Sequence, residues 1–217
     1  MRSRVIERLD SIIAGKTLLQ HPFYQAWTAG ELPIERLSSY AIRYYPHVAA
    51  FPRYLSALHS RCGDLQTRQA LLENLIEEER GAENHPELWL RFAEALGVAR
   101  DEVVSAEPVA AAQSLVSTYL DVTLKAPIAG GLAALYAYES QIPAVAKVKI
   151  EGLRQFYSIV DDRGLAFFRV HAKADVAHAK TVSELISRNC ITSGDAEAAV
   201  DAAERSLAAL WSMLDAV

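Results

Sequence analysis

Cysteine is scarce: Cys62 and Cys190 are the two in 217 residues, and they form no C-x-x-C pair. That argues against a zinc ribbon and against a disulfide framework, and it fits a reducing cytoplasm. Basic residues are not in excess, with 22 Lys and Arg against 27 Asp and Glu and a net charge of −5. A chain of that balance has no electrostatic footprint for nucleic acid or an anionic membrane. No uninterrupted apolar run is long enough to span a bilayer. The opening MRSRVIERLDSIIAGK carries charge without a continuous apolar stretch, so it is not expected to act as a secretory leader. Period-2 alternation is missing as well, which leaves no convincing strand. No low-complexity linker divides the chain and no repeat recurs at a fixed period. These absences predict one soluble, cytoplasmic domain over residues 1–217.

The residues that are present read as helices punctuated by Gly and Pro. Val5, Leu9, Ile12 and Ile13 share a stripe over 2–14. A short helix is expected from His21-Pro22 to Ala29, then a long one over 34–60 with Pro33 in its first turn. Further helices are expected over 65–80, 85–97 behind Asn84 as cap, and 110–124. Pro127 opens another, interrupted at Pro143 and continuing to Tyr157. The turn 161–164 precedes a long helix over 165–188, and Ser193-Gly194-Asp195 caps the last, to Met213. The expectation is an all-α bundle of seven to nine helices with antiparallel neighbours.

Chemistry concentrates in three places. In FFRVHAKADVAHAK, His171, Asp175 and His178 are spaced i, i+4, i+7, which puts them on one helix face. The same stripe carries Phe167, Phe168, Val182 and Leu185, so this face should point into the bundle. Ionisable groups on a buried face are costly unless paired or bound to a cation. Two imidazoles and a carboxylate there can converge on a metal; the plain alternative is a solvated polar face. In EEERGAENHPELW, Glu78 and His85 lie seven apart, with Gly81 and Asn84-His85-Pro86 breaking the helix between them. The periodicity of Leu71, Leu72 and Leu75 points both Glu78 and Glu79 inward and does not separate them. In GGLAALYAYESQIPAV, Glu139 stands in an almost wholly apolar segment and asks for a partner. Its alternative is a wet edge shared with Ser140 and Gln141. Glu and His projecting inward from facing helices are how bundle di-iron sites are built. Such ligation without cysteine suits iron or manganese and can suit zinc.

The pattern E-x6-H, then YES, then H-x3-D-x2-H resembles the heme-oxygenase-like di-metal oxidases. The phrase EEERGAENHPELWLRF is similar to their CADD-like branch (Chlamydia protein associating with death domains), which shares its fold with the pyrroloquinoline-quinone synthase PqqC and the thiaminase TenA. The likeness runs from about His21 to Arg188. It implies a heme-oxygenase-like bundle with two metal ions, iron first and manganese as the option at one position. One ion would take Glu78, His85 and His178, the other His171 and Asp175, with Glu139 completing or bridging the pair. That branch is understood to make 4-aminobenzoate for folate by self-sacrifice, using O2 and a reductant. The ring would come from Tyr24 in HPFYQAW and the amine from Lys149 in AVAKVKIEG, with Tyr138 as a further site tyrosine.

Read without the resemblance, these three residues are ordinary. Tyr24 and Tyr138 would be interior aromatics, and Lys149 a surface lysine. Lys147 and Lys149, two apart on a helix, should point in different directions. A lysine buried near cations would have a lowered pKa and a free amine. Tyr44, Tyr45 and His47 form a polar-aromatic cluster that could line a pocket, while His21 and His59 are read as structural. The rivals are an oxidase of the same type acting on an external fatty acid or amine, a thiaminase-like hydrolase, PqqC-like cofactorless oxidation, and a protein-interaction module. The hydrolase would need a cysteine nucleophile, yet Cys62 and Cys190 sit at helix ends with no base nearby in sequence. A homodimer is compatible with the fold, and no residue pattern demonstrates one.

Overall fold

The computed structural model describes residues 2–217, and side-chain burial from residue 4 onward. The described residues form eleven α-helices and one 3-10 turn, with no strand. They are α1 Arg2–Gly15, α2 Pro22–Ala29, α3 Ile34–Arg61, α4 Leu65–Glu79, α5 His85–Ala95, α6 Arg100–Ser105, α7 Ala110–Lys125, α8 Ile128–Glu139, α9 Ile142–Phe156, α10 Asp162–Asn189 and α11 Ser193–Asp215. The all-α expectation holds, and the count of seven to nine is too low for two physical reasons. The six-residue α6 is too short to show a periodic stripe. The segment read as one interrupted helix is two, because the chain turns at Ser140-Gln141, just ahead of Pro143.

Local chemistry sets the ends. The Asp64, Asn84 and Asp161 side chains accept backbone N–H groups at the starts of α4, α5 and α10. The cap of α11 is Thr192, in a reciprocal box with Asp195, rather than Ser193. α8 lies at the centre, nearly all of its length buried, against α7, α10 and α11. Gly131 permits this: a Cβ there would stand 2.6 Å from Leu58 of α3. A hydrophobic cluster of Leu, Ala and aromatic side chains from nearly every helix surrounds it.

The short α2 docks on α9 because Gly152 leaves room for Trp27, whose indole would lie 2.5 Å from a Cβ there. His21 holds the same segment from the other end. Its Nδ1 accepts from Phe23 N at 3.1 Å, so Nε2 carries the proton and donates to Asp215 Oδ1 at 3.0 Å in the last turn of α11. Trp211 of α11 packs edge-on against that imidazole and donates to the Lys16 carbonyl at 2.8 Å. His21 is thus structural, as its sequence context suggests.

Candidate metal centre

α4, α5, α8 and α10 bring the six candidate ligands together in the core. His171, Asp175 and His178 share one face of α10, as their spacing predicts, with Phe167, Phe168, Val182 and Leu185 buried along it. Glu139 ends α8 and is buried, so the wet-edge alternative fails. Its neighbour Gln141 is also buried, accepting from Leu18 N at 2.8 Å and donating to the Ala137 carbonyl at 2.6 Å. Glu78 is buried and Glu79 exposed, which separates the two. Glu78 and His85 do not share a helix. α4 stops at Glu79, Gly81 takes φ +82°, and Asn84 caps α5, turning His85 back toward Glu78.

The ligand atoms form two triads, each with all three atoms within 4.8 Å of one another: Glu78, His85 and His171, and Glu139, Asp175 and His178. This grouping differs from the split implied by family resemblance, in which His178 joined Glu78 and His85. The reason is position on α10: His171 stands about two turns before His178, with its ring centre 4.3 Å from that of His85. His178 reaches the other carboxylates, with Nδ1 at 3.2 Å from Asp175 Oδ1 and 4.0 Å from Glu139 Oε1.

Several atoms at this place lack protein partners. His85 Nδ1 lies 2.8 Å from Glu78 Oε2, yet the two are not aligned as a hydrogen bond. Glu139 Oε2 and Asp175 Oδ2 are buried and bare. Burying such groups unpaired is costly, and a cation between them removes the cost. The electrostatics agree. Burial, reinforced by the Asp175 charge, pushes the Glu139 carboxyl up to about 8. Burial also raises Asp175 to about 6. For His178 burial acts downward, but Asp175, Glu139 and Glu77 together outweigh it and bring the imidazole up to about 9. Burial and the neighbouring His85 hold His171 well below the usual imidazole range, so it is neutral. Its Nδ1 lies 2.7 Å from the Phe167 carbonyl, which can only accept. Nδ1 therefore carries the proton and Nε2 presents a lone pair. The donor set and its orphaned atoms fit two divalent ions held by carboxylate and imidazole.

Tyr24 and Lys149 lie in a separate aromatic cage. Lys149 is buried and Lys147 exposed, as their spacing suggests. The Lys149 Nζ stands 5.3 Å from the centre of the Tyr24 ring and 4.8 Å from that of Tyr40, with Trp27, Trp89 and Phe168 closing the cage. It donates to Tyr40 Oη at 2.6 Å, and Tyr40 Oη is 3.5 Å from Tyr24 Oη. Tyr40 Oη therefore links the amine to the Tyr24 hydroxyl. Burial alone brings the amine down to about 7. Tyr138 lies between the two places. It lines a cavity of about 10 Å³ with Glu78, Glu139, His171 and Asp175, and a second of about 10 Å³ with Lys149, Tyr44 and Trp89. Tyr44 and His47 do line these cavities, and Tyr45 lines neither. Both thiols are buried and raised by that burial, which suits no nucleophile.

Two participants escaped sequence reasoning. Tyr40 precedes Tyr44, His47 and Phe51 at helical spacing, so the stripe was there to extend. Asn74 lies one turn before Glu78 on α4 and donates to Glu139 Oε1 at 2.7 Å.

A family model described as iron-containing redox enzyme matches residues 38–211. The chain belongs to this family. It is 44% identical over 213 residues to a 4-aminobenzoate synthase of Chlamydia muridarum, covering 97% of this chain and 88% of that one. It is 41% identical to a 4-aminobenzoate synthase of Nitrosomonas europaea, covering 97% and 89%. Among solved structures, a domain from Shewanella denitrificans with a heme oxygenase-like fold superposes with a TM-score of 0.78 at 19% identity, over 99% of this chain and 88% of that one. The fold is therefore heme-oxygenase-like and the chain a redox enzyme.

Proposed function

We propose that this protein makes 4-aminobenzoate from its own Tyr24 side chain, with Lys149 as the amine donor and O2 as the oxidant. The observation that carries this reading is the place of Lys149: a buried amine over the ring of a buried tyrosine, linked to its hydroxyl through Tyr40 and next to the candidate metal centre. In the reaction the Cα–Cβ bond of Tyr24 breaks and Cβ becomes the carboxyl carbon. The Nζ–Cε bond of Lys149 breaks as its nitrogen takes the place of the phenol oxygen, which leaves as water. O2 accepts the electrons given up by Cβ and by Cε, the latter left as an aldehyde. Two ions held by Glu78, His85, His171 and by Glu139, Asp175, His178 supply O2 activation when bound, iron in both positions or manganese in one. An external reductant completes the electron balance.

The chain's own residues do the positioning. Tyr40 links the Lys149 nitrogen to the Tyr24 hydroxyl. Aromatic walls exclude water and lower the amine's pKa, so that near neutral pH a good part of it has a free lone pair. Tyr138 separates the centre from the cage. The two interior cavities hold about 10 Å³ each, against the roughly 300–1,000 Å³ of a typical ligand pocket, so an external aromatic substrate has no seat beside Lys149. This supports self-sacrifice over an oxidase acting on an outside molecule. One domain over residues 1–217 and a cytoplasmic setting, in keeping with two free buried thiols, belong to the same reading.

The test is mass spectrometry without organic substrate. The protein is loaded with Fe(II) and a reductant, and air is admitted. The expected result is 4-aminobenzoate in solution and a peptide that has lost the Tyr24 side chain. Oxygen consumption with Tyr24 intact and no aminobenzoate would overturn self-sacrifice and leave an oxidase in search of a substrate.

A further inference from the structure

His178 is the least enclosed of the six candidate ligands. Its side chain is 12% exposed and helps wall a cleft of about 170 Å³ between α4 and α10. Glu73, Asn74 and Glu77 line the cleft from α4, and Ala174, Ala177 and Thr181 from α10. The two nitrogens of His178 face different ways. Nδ1 meets Asp175 and Glu139 inside, while Nε2 lies 3.1 Å from Oε2 of Glu77, whose side chain is 52% exposed. Asn74 spans the same divide. Its Nδ2 donates to Glu139, and its Oδ1 is buried without a partner in a residue only 5% exposed. A bare amide oxygen beside carboxylates is a hard donor of the kind that replaces water around a divalent cation. Elsewhere the ligands are closed in, since the inner cavity is walled by Phe51, Tyr138 and Phe167.

We propose that the α4–α10 cleft is the route by which divalent cations reach the metal centre, with Glu77, Asn74 and His178 Nε2 forming a transit site ahead of Glu139 and Asp175. The inference rests on the metal-centre reading above and concerns the path rather than the final ligands. Stepwise exchange of water for Glu77 and Asn74 oxygen lowers the cost of dehydrating the ion before it is enclosed. A cleft with acidic walls also concentrates cations and speeds their arrival in a salt-dependent way.

The experiment follows Co(II) uptake by the metal-free, full-length protein through its visible absorbance at low and high salt, with final content measured by elemental analysis. Glu77→Gln removes the transit carboxylate. Ala70→Phe narrows the cleft from a position that is not itself a candidate ligand. Glu77→Gln is expected to slow uptake about tenfold at low salt and to flatten its salt dependence. Ala70→Phe is expected to slow uptake at every salt concentration, and both variants should end at the wild-type content. Wild-type rates in both variants would overturn the route. A lower final content in Glu77→Gln would make Glu77 a resident ligand and overturn the transit role. A wild-type protein that takes up no metal would instead overturn the metal-centre reading on which the route rests.

Discussion

The metal centre and the Lys149 cage are equally buried, only a few side chains apart, and solve opposite problems. The centre gathers three carboxylates and leaves atoms on two of them bare. The cage gathers aromatic rings around one amine and gives it one hydroxyl partner, Tyr40. In the first, burial raises acids; in the second, burial lowers a base. Burial therefore opposes charge on Glu139 and on Lys149 alike when no ion is bound, but only the centre offers a cation enough donors to reverse that. The difference teaches that burial by itself does not mark a metal site. What marks it is an excess of acceptors whose lone pairs have no donor to meet.

The sharpest way to break the comparison is Tyr24→Phe. It removes the phenol oxygen from the cage and touches no candidate ligand. Release of 4-aminobenzoate should stop, a loss of more than about 100-fold, while Fe(II) content stays at the wild-type value. Lost metal in this variant would mean that the two places are one. His171→Ala should give the reverse pattern at the first step, with reduced metal content measured directly and product lost as a consequence.

The next effects are on stability, and the two places should slope in opposite directions with pH. Glu139 titrates at about 8 in the folded protein against an ordinary 4.5. A raised acid leaves stability intact below 4.5 and erodes it as pH rises toward 8. In chelator, Glu139→Gln should match the wild type near pH 4.5 and exceed it by roughly 2–4 kcal/mol above pH 8, by denaturant unfolding. Lys149 titrates at about 7 against 10.5. A lowered base leaves stability intact above 10.5 and erodes it as pH falls toward 7. Lys149→Met should therefore gain on the wild type as pH falls across that window. Slopes of the same sign would refute the opposition. Product formation should also rise as pH passes through about 7, because the amine must be free.

The smallest expected effect is that of Asn74→Ala. It removes one donor to Glu139 and should weaken metal affinity about 10- to 100-fold in a chelator competition, with little change in the cage.

Much of this was legible beforehand. Histidines and an aspartate at i, i+4, i+7, in line with Phe167 and Leu185, favoured a shared buried face over a solvated one. A glutamate amid the alanines of α8 had little water to meet. Glu78 against Glu79 was not legible, because adjacent helix positions differ by about 100° and both lay near the edge of the Leu stripe. The pairing of ligands into triads was not legible either. It depends on how the turn from Arg80 to Asn84 swings His85 over α10, which is a matter of tertiary packing. Tyr24 and Lys149 were visible only through family likeness, since their residue types have commoner uses. What gives them their surroundings is the docking of α2 on α9 over Gly152, a contact between distant parts of the chain.

The clasp of His21 and Trp211 has a consequence for how the Tyr24 segment comes to order. α2 has eight residues, too few to hold a helix by itself in water. It is fastened to Asp215 and Trp211, with 194 positions between His21 and Asp215. Closing a loop of that length costs entropy that only a packed bundle returns. Seating of the Tyr24 ring is therefore tied to the docking of α11, and loosening that helix should free α2 while the ligands on α10 keep their places.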